Sequence, residues 1–317
     1  MKYIRMPRTD LRPSVICMGS PTGDENSPLY AGFDEYVEQG GNCFDTANQY
    51  GRESSGTNSH ERLLGRWLSQ KPPSFRDNVI LCTKGGHPDA GRMARPRLSQ
   101  EEVRADLEES LEALGVETID LYWLHRDDPG RPVEEILAYL NDFYNQGKIR
   151  YFGASNWRVY RLKEAEAYAK ASGMQGFVAN QPQWSCAQAR QSALDAYSLV
   201  TMNTEACRFH METALTVMPY SPNAKGYFGK LMSGVPMRAK WDEVFHSPEN
   251  RRRLDILKEV AADKNCTVMQ AALAYLLHQP FSVVPIVGFS SREQLVESLG
   301  AVDVALEPSI VARLREG

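Results

Sequence analysis

The sequence predicts an α/β fold, a single-domain (β/α)8 barrel, and three observations carry that expectation. Short apolar runs rich in Val, Ile and aromatic residues recur eight times, each followed by a stretch with helical periodicity. Strand and helix alternate throughout, which implies parallel strands joined by right-handed crossovers. No G-x-G-x-x-G follows the first strand, so a closed barrel is favoured over an open doubly wound sheet.

The strands are expected at 14–19, 41–46, 78–83, 120–125, 149–155, 176–181, 215–220 and 282–287. Helical patterns run near 60–69, 98–115, 132–146, 157–172, 187–207 and 250–264. The stretch "LSQEEVRADLEESLEALG" shows why: Ser99 as N-cap, acidic residues early, apolar residues at helical spacing and a terminal glycine. Arg251, Arg252 and Arg253 open the helix at 250–264 and read as a solvated face. The longest irregular stretch, 221–249, follows the seventh strand, where barrel loops build the catalytic face. No linker or low-complexity segment interrupts residues 1–317, so one domain is expected.

A net charge of −4 without a long basic run gives no footprint for nucleic acid or an anionic membrane. The six cysteines form no C-x-x-C pair, which reads as reduced thiols and not as a zinc site or disulfide framework. The N-terminal "MKYIRMPRTDLRPSV" has no apolar core and no 18-residue apolar stretch exists. A cytoplasmic location is the expectation, and the sequon at Asn265 is then a chance match.

Three titratable residues crown adjacent strand ends: Asp45 closes "GNCFDT", Lys84 follows "NVILCT" and His125 closes "DLYWLH". Alternation along each strand places Cys43, Cys82 and Trp123 on the same faces, as a packing layer beneath the mouth. Tyr50, five residues beyond Asp45, lies on the loop that folds back over it. A phenol is a poor acid at neutral pH, with an unperturbed pKa near ~10. A nearby ammonium stabilises the phenolate, and Asp45 would hold Lys84 protonated and oriented. A metal is not expected, because His87 and Asp127 do not reproduce a ligand spacing with His125 and Lys84 would repel a cation.

With these residues in place, "DTANQYG" resembles the D-T-A-x-x-Y-G motif of the aldo-keto reductase superfamily, and the resemblance runs from "ICMGS" to "VPIVGFSSREQLVESLGA". It implies a (β/α)8 barrel that binds NADP(H) in extended form at its C-terminal mouth, without a metal. By that resemblance Tyr50 is the general acid, Lys84 and Asp45 tune it, and His125 orients the carbonyl or assists protonation. Ser155, Asn156 and Gln181 would hold the nicotinamide carboxamide, and Tyr220 would stack on the ring. Ser221, Ala224 and Gly226 would follow the pyrophosphate. Gly288, Ser290, Arg292, Gln294 and Glu297 would hold the adenosine and its phosphate, where a helix start offers backbone N–H groups. The simpler reading of Ser290 and Ser291 is helix capping. Ser298 and Gln294 stand where the family often has asparagine and a basic residue; with Arg292 compensating, NADP(H) is favoured and NAD(H) is possible.

The implied reaction interconverts an aldehyde, ketone or sugar with its alcohol by hydride transfer. Arg126, Asp127 and Asp128, with Arg92, Arg95 and Arg97, give a polar rim suited to a hydroxylated substrate, or merely face solvent. Tyr227, Phe228 and Trp241 are a partial pocket wall or helix packing. Two rival readings remain: Lys84 as a Schiff-base lysine of an aldolase-like barrel, and a nucleotide-sensing subunit with negligible turnover.

Overall fold

The computed structural model describes residues 1–21 and 23–317. The strands are β1 (Cys17–Gly19), β2 (Cys43–Asp45), β3 (Ile80–Gly85), β4 (Ile119–Leu124), β5 (Ile149–Ser155), β6 (Ala179–Gln181), β7 (Thr216–Val217) and β8 (Ile286–Val287). Their order is β7-β6-β5-β4-β3-β2-β1-β8, and every pairing is parallel. Parallel bridges Val217–Val283 and Tyr220–Ile286 join the two edges and close the barrel. All eight expected strands are present, most of them shorter than their apolar runs.

Alternation divides the core in two. Cys17, Cys43, Ile80, Cys82, Leu121, Trp123, Met218, Val284 and Ile286 point inward and fill the cylinder. Phe44, Leu81, Tyr122, Leu124 and Phe152 point outward and pack under the helices. Helix Val133–Asn145 shows the second layer: Val133, Ile136, Leu137, Tyr139, Leu140 and Phe143 are buried on one stripe, each contributing roughly 1.5–3 kcal/mol. Inside, Gly153 leaves room for Trp123: a Cβ there would lie 2.5 Å from the indole and 2.7 Å from the Ala179 carbonyl oxygen.

An N-terminal hairpin, not anticipated from sequence, pairs Tyr3 with Ser14 and bonds Met6 N to Leu11 O at 3.0 Å. Met6 and Leu11 join the inward-facing cluster and seal the floor of the barrel.

The helix Gln100–Leu114 forms as expected, with Ser99 and Glu102 exchanging capping hydrogen bonds and Gly115 ending it at φ +67°. Helices at Ser59–Ser69, Val133–Asn145, Val159–Ser172 and Pro248–Lys264 also match. The expected helix at 187–207 is instead two pieces, Gln191–Asp195 and Thr204–Thr213. Between them the chain bonds to the end of β6, with Gln183 N to Val200 O at 2.8 Å and Met202 N to Gln183 O at 3.0 Å. The stretch 221–249 is not wholly irregular, for it holds helices Tyr227–Ser233 and Ala239–Phe245. Helices Gly32–Glu38, Val268–Leu277 and Pro308–Glu316 were not expected.

One buried charge faces the outer side of β3. Glu61, on helix Ser59–Ser69, is fully buried and accepts hydrogen bonds from Thr83 Oγ1 and from Asn58 Nδ2 at 2.7 Å. Burial raises its carboxyl to about 7, opposed by these hydrogen bonds. Among the described residues no helix is long and apolar enough to cross a membrane.

Candidate active site

The C-terminal ends of β2, β3 and β4 meet at one mouth, and backbone hydrogen bonds carry the ladder past the strands: Thr46 N to Cys82 O at 2.9 Å, Asn48 N to Lys84 O at 3.0 Å and His125 N to Gly85 O at 2.9 Å. This fixes Asp45, Lys84 and His125 as neighbours, all buried. Lys84 Nζ donates to Asp45 Oδ2 and, at 2.7 Å, to the Thr46 carbonyl. Gln181 Nε2, from β6 across the barrel, donates to Asp45 Oδ1 at 3.1 Å. The Trp123 indole N–H, below, faces Asp45 without reaching hydrogen-bond geometry.

Burial raises the Asp45 carboxyl, against the Lys84 charge and its hydrogen bond. Burial pulls the Lys84 ammonium down, but the Asp45 carboxylate reverses this and leaves it above its ordinary value. An amine held this way stays protonated.

Tyr50 reaches the same point from its turn, closed by Tyr50 N to Ala47 O at 3.0 Å. Gly51 makes the exit possible: its φ is +89°, and a Cβ would lie 1.9 Å from Ser59 Oγ. Lys84 Nζ stands 5.0 Å from the Tyr50 ring centroid. The His125 ring meets Tyr50 edge-on at 5.7 Å and His87 at 4.6 Å. Burial, then the charges of Arg126, His87 and Lys84, hold His125 well below the usual imidazole range, so it is neutral at pH 7. Its Nδ1 has no hydrogen-bond partner among the described residues.

The four expected catalytic positions are therefore brought together. The sequence reading left His87 out of the site; burial and then the Arg126 charge take it down to about 4.

The residues that the resemblance assigns to a dinucleotide line the same face. Asn156, at φ +61° just past β5, accepts from Tyr220 Oη at 2.7 Å and Val200 N at 3.1 Å, and donates to the His125 carbonyl at 3.3 Å. Ser155 Oγ donates to Gln181 O at 2.9 Å. Beyond Tyr220 the chain turns through positive φ at Ser221, Ala224, Lys225 and Gly226, a conformation that can gather backbone N–H groups into an anion-binding concavity. Asn223 Oδ1 in that turn is buried without a partner, while its Nδ2 reaches Ser298 Oγ at 3.5 Å. An open cleft of about 540 Å³ follows, lined by Arg292, Gln294, Glu297, Thr267 and Gln270. Gly288 and Ser290 are exposed beside it. This orphaned oxygen, turn and cleft fit an extended dinucleotide.

Three assignments change in detail. Ser291 caps the helix Arg292–Gly300, and Ser290 Oγ donates to Gln294 Oε1 at 2.8 Å. The Arg292 guanidinium pairs with Glu35 at 2.7 Å, on the helix Gly32–Glu38. Tyr227 and Phe228 are buried in the helical layer and Trp241 stacks on Phe245, so helix packing accounts for them. On the rim, Arg97 is committed to Asp106 at 2.9 Å and to the His87 carbonyl at 3.0 Å, while Arg161 takes Asp127. Among the described residues no group of His, Cys, Asp or Glu is arranged to hold a metal.

A sequence model of the Aldo/keto reductase family matches residues 29–316. The chain is 29% identical to an uncharacterized oxidoreductase, YrpG, of Bacillus subtilis (strain 168), over all of this chain and 95% of that protein. It is 30% identical to probable aldo-keto reductase 1 of Glycine max, over 92% of this chain and 80% of that protein. Norsolorinic acid reductase B of Aspergillus parasiticus is 26% identical over 95% of this chain and 79% of its own length. With a match across nine-tenths of its length, the chain belongs to the aldo/keto reductase family and is an NAD(P)H-dependent oxidoreductase acting between carbonyl and alcohol.

Proposed function

We propose that this enzyme reduces an aldehyde, ketone or sugar carbonyl with Tyr50 as proton donor, and that NADP(H) is preferred while NAD(H) is accepted. The observation that carries the reading is the Lys84 ammonium, buried between the Asp45 carboxylate and the face of Tyr50. When bound, the dinucleotide supplies a hydride to the carbonyl carbon. Tyr50 delivers its proton to the carbonyl oxygen, and the fixed Lys84 charge stabilises the phenolate left behind. His125, neutral in its buried position, has one N–H to donate to the same oxygen. Both donors meet charge where it develops, in a site closed to water from below. Ser155, Asn156, Gln181 and Tyr220 would orient the nicotinamide; Ser221, Ala224 and Gly226 would follow the phosphates; Gly288, Ser290, Arg292, Gln294 and Glu297 would hold the adenosine end.

A Schiff-base role for Lys84 requires a free amine, and the buried pairing with Asp45 weighs against one. Tyr50→Phe tests the assignment. Reduction of a nitrobenzaldehyde followed by NADPH absorbance should fall at least about 100-fold, while NADPH binding by fluorescence is retained. Full turnover in that variant removes Tyr50 from the role of acid. Running the same assay with NADH measures the cofactor preference.

A further inference from the structure

Arg126 follows His125 directly, and its guanidinium pairs with no carboxylate among the described residues. Nη1 donates to the His125 carbonyl at 2.8 Å. Nε is buried with no hydrogen-bond partner, and Nη2 makes no hydrogen bond to any described residue. Nε–H and the adjacent Nη2–H form the side-on fork that takes a carboxylate through two parallel hydrogen bonds.

Two neighbouring acids are taken by other arginines, Asp106 by Arg97 at 2.9 Å and Asp127 by Arg161 at 3.3 Å, and Asp128 lies 4.0 Å from Arg131 Nε. The neighbouring lysines face aromatic rings: Lys240 Nζ lies 3.2 Å from the Tyr197 centroid and Lys225 Nζ 5.3 Å from that of Trp241. Burial lowers the Arg126 guanidinium, and only the phenols of Tyr220 and Tyr50 pull it back, which puts it within electrostatic reach of both. Its charge acts in turn on His87, His125 and Lys240. A buried cation without an anion is costly unless a ligand supplies one.

We propose that Arg126 sets substrate specificity by binding a carboxylate carried on the carbonyl substrate, so that the enzyme prefers oxo-acids to neutral aldehydes and ketones. This rests on the reductase reading above and narrows its substrate class. The fork positions the substrate by its charged end while Tyr50 and His125 address the carbonyl oxygen.

The test compares the three carboxybenzaldehyde isomers with their methyl esters, using the full chain and NADPH. For at least one isomer the acid should exceed its ester in kcat/KM. Arg126→Gln should lower that acid-to-ester ratio by about 10- to 100-fold, the weight of a charge-assisted pair. Arg126→Lys, which keeps the charge and loses the fork, should fall between the two. An Arg126→Gln variant that slows acid and ester by one common factor shows a merely structural role, and one that weakens NADPH binding without changing the ratio shows a cofactor phosphate ligand; either overturns the proposal. Calorimetric titration of the same acids into protein saturated with NADP+ separates the two readings. Binding in the wild type that Arg126→Gln abolishes, without turnover of any aldehyde, supports the anion site and removes the reductase reading. No binding of any acid to the wild type overturns the anion site.

Discussion

Glu61→Gln should change how stability depends on pH, by an amount that follows from the position of the residue. Glu61 is fully buried against β3, and burial takes its carboxyl from the ordinary 4.5 to about 7. At about 1.36 kcal/mol per pKa unit, that difference amounts to about 3 kcal/mol. The folded state holds the proton more tightly than the unfolded chain. The contribution is therefore complete below the unfolded value and is lost as pH rises through about 7. Ser110 Oγ, buried beside the Glu61 carboxyl, can accept a hydrogen bond from the protonated acid. Glutamine copies the neutral acid and does not titrate. The gap in unfolding free energy between variant and wild type should thus move by about 2.5 kcal/mol in favour of the variant between about pH 5 and about pH 8. Urea unfolding followed by tryptophan emission at both pH values measures it. A gap constant to within about 0.5 kcal/mol would refute the claim that Glu61 is protonated in the folded barrel at acid pH.

Lys84→Met strands the Asp45 carboxylate with Gln181 alone; the expected loss is about 3–5 kcal/mol at neutral pH. Without the ammonium the Asp45 carboxyl rises further in the folded state, so the variant should approach the wild type as pH falls, and denaturant curves showing a pH-independent deficit contradict this. Adding Asp45→Asn should restore part of the loss, a coupling that a double-mutant cycle reads directly. Gly153→Ala drives a methyl group into Trp123 beneath Asp45 and Lys84. It should cost about 1–3 kcal/mol and displace the indole; unaltered tryptophan emission together with unaltered stability argues against the tight fit.

The strands were legible because apolar runs bounded by turn residues have few other uses in a chain of this composition. Asp45, Lys84 and His125 could be placed at one mouth because period-two alternation and equal strand phase fix their side. The break at 187–207 was not legible: its Ala, Gln and Arg favour a helix locally, but Gln183 captures 200–202 as a bridge, so tertiary pairing overrides propensity. Glu61 reads as an ordinary polar residue of an amphipathic helix, and only packing shows it enclosed by Thr83 and Asn58. The state of Arg126 is likewise three-dimensional, since it depends on which acids other arginines have already taken. Met6 and Leu11 lie in a proline-interrupted, charged segment whose burial no periodicity announces.

That segment governs more than the floor of the cylinder. Its two apolar side chains keep bulk solvent from rising behind Cys17, Cys43 and Cys82, so the space beneath the Asp45 and Lys84 pair stays poorly polarisable and their mutual attraction stays strong. Loosening the hairpin should therefore blunt the proton delivery proposed for Tyr50 at the opposite pole and open three thiols to alkylating reagents. Damage at the tail end of the barrel would then present itself, in a kinetic assay, as a fault in its chemistry.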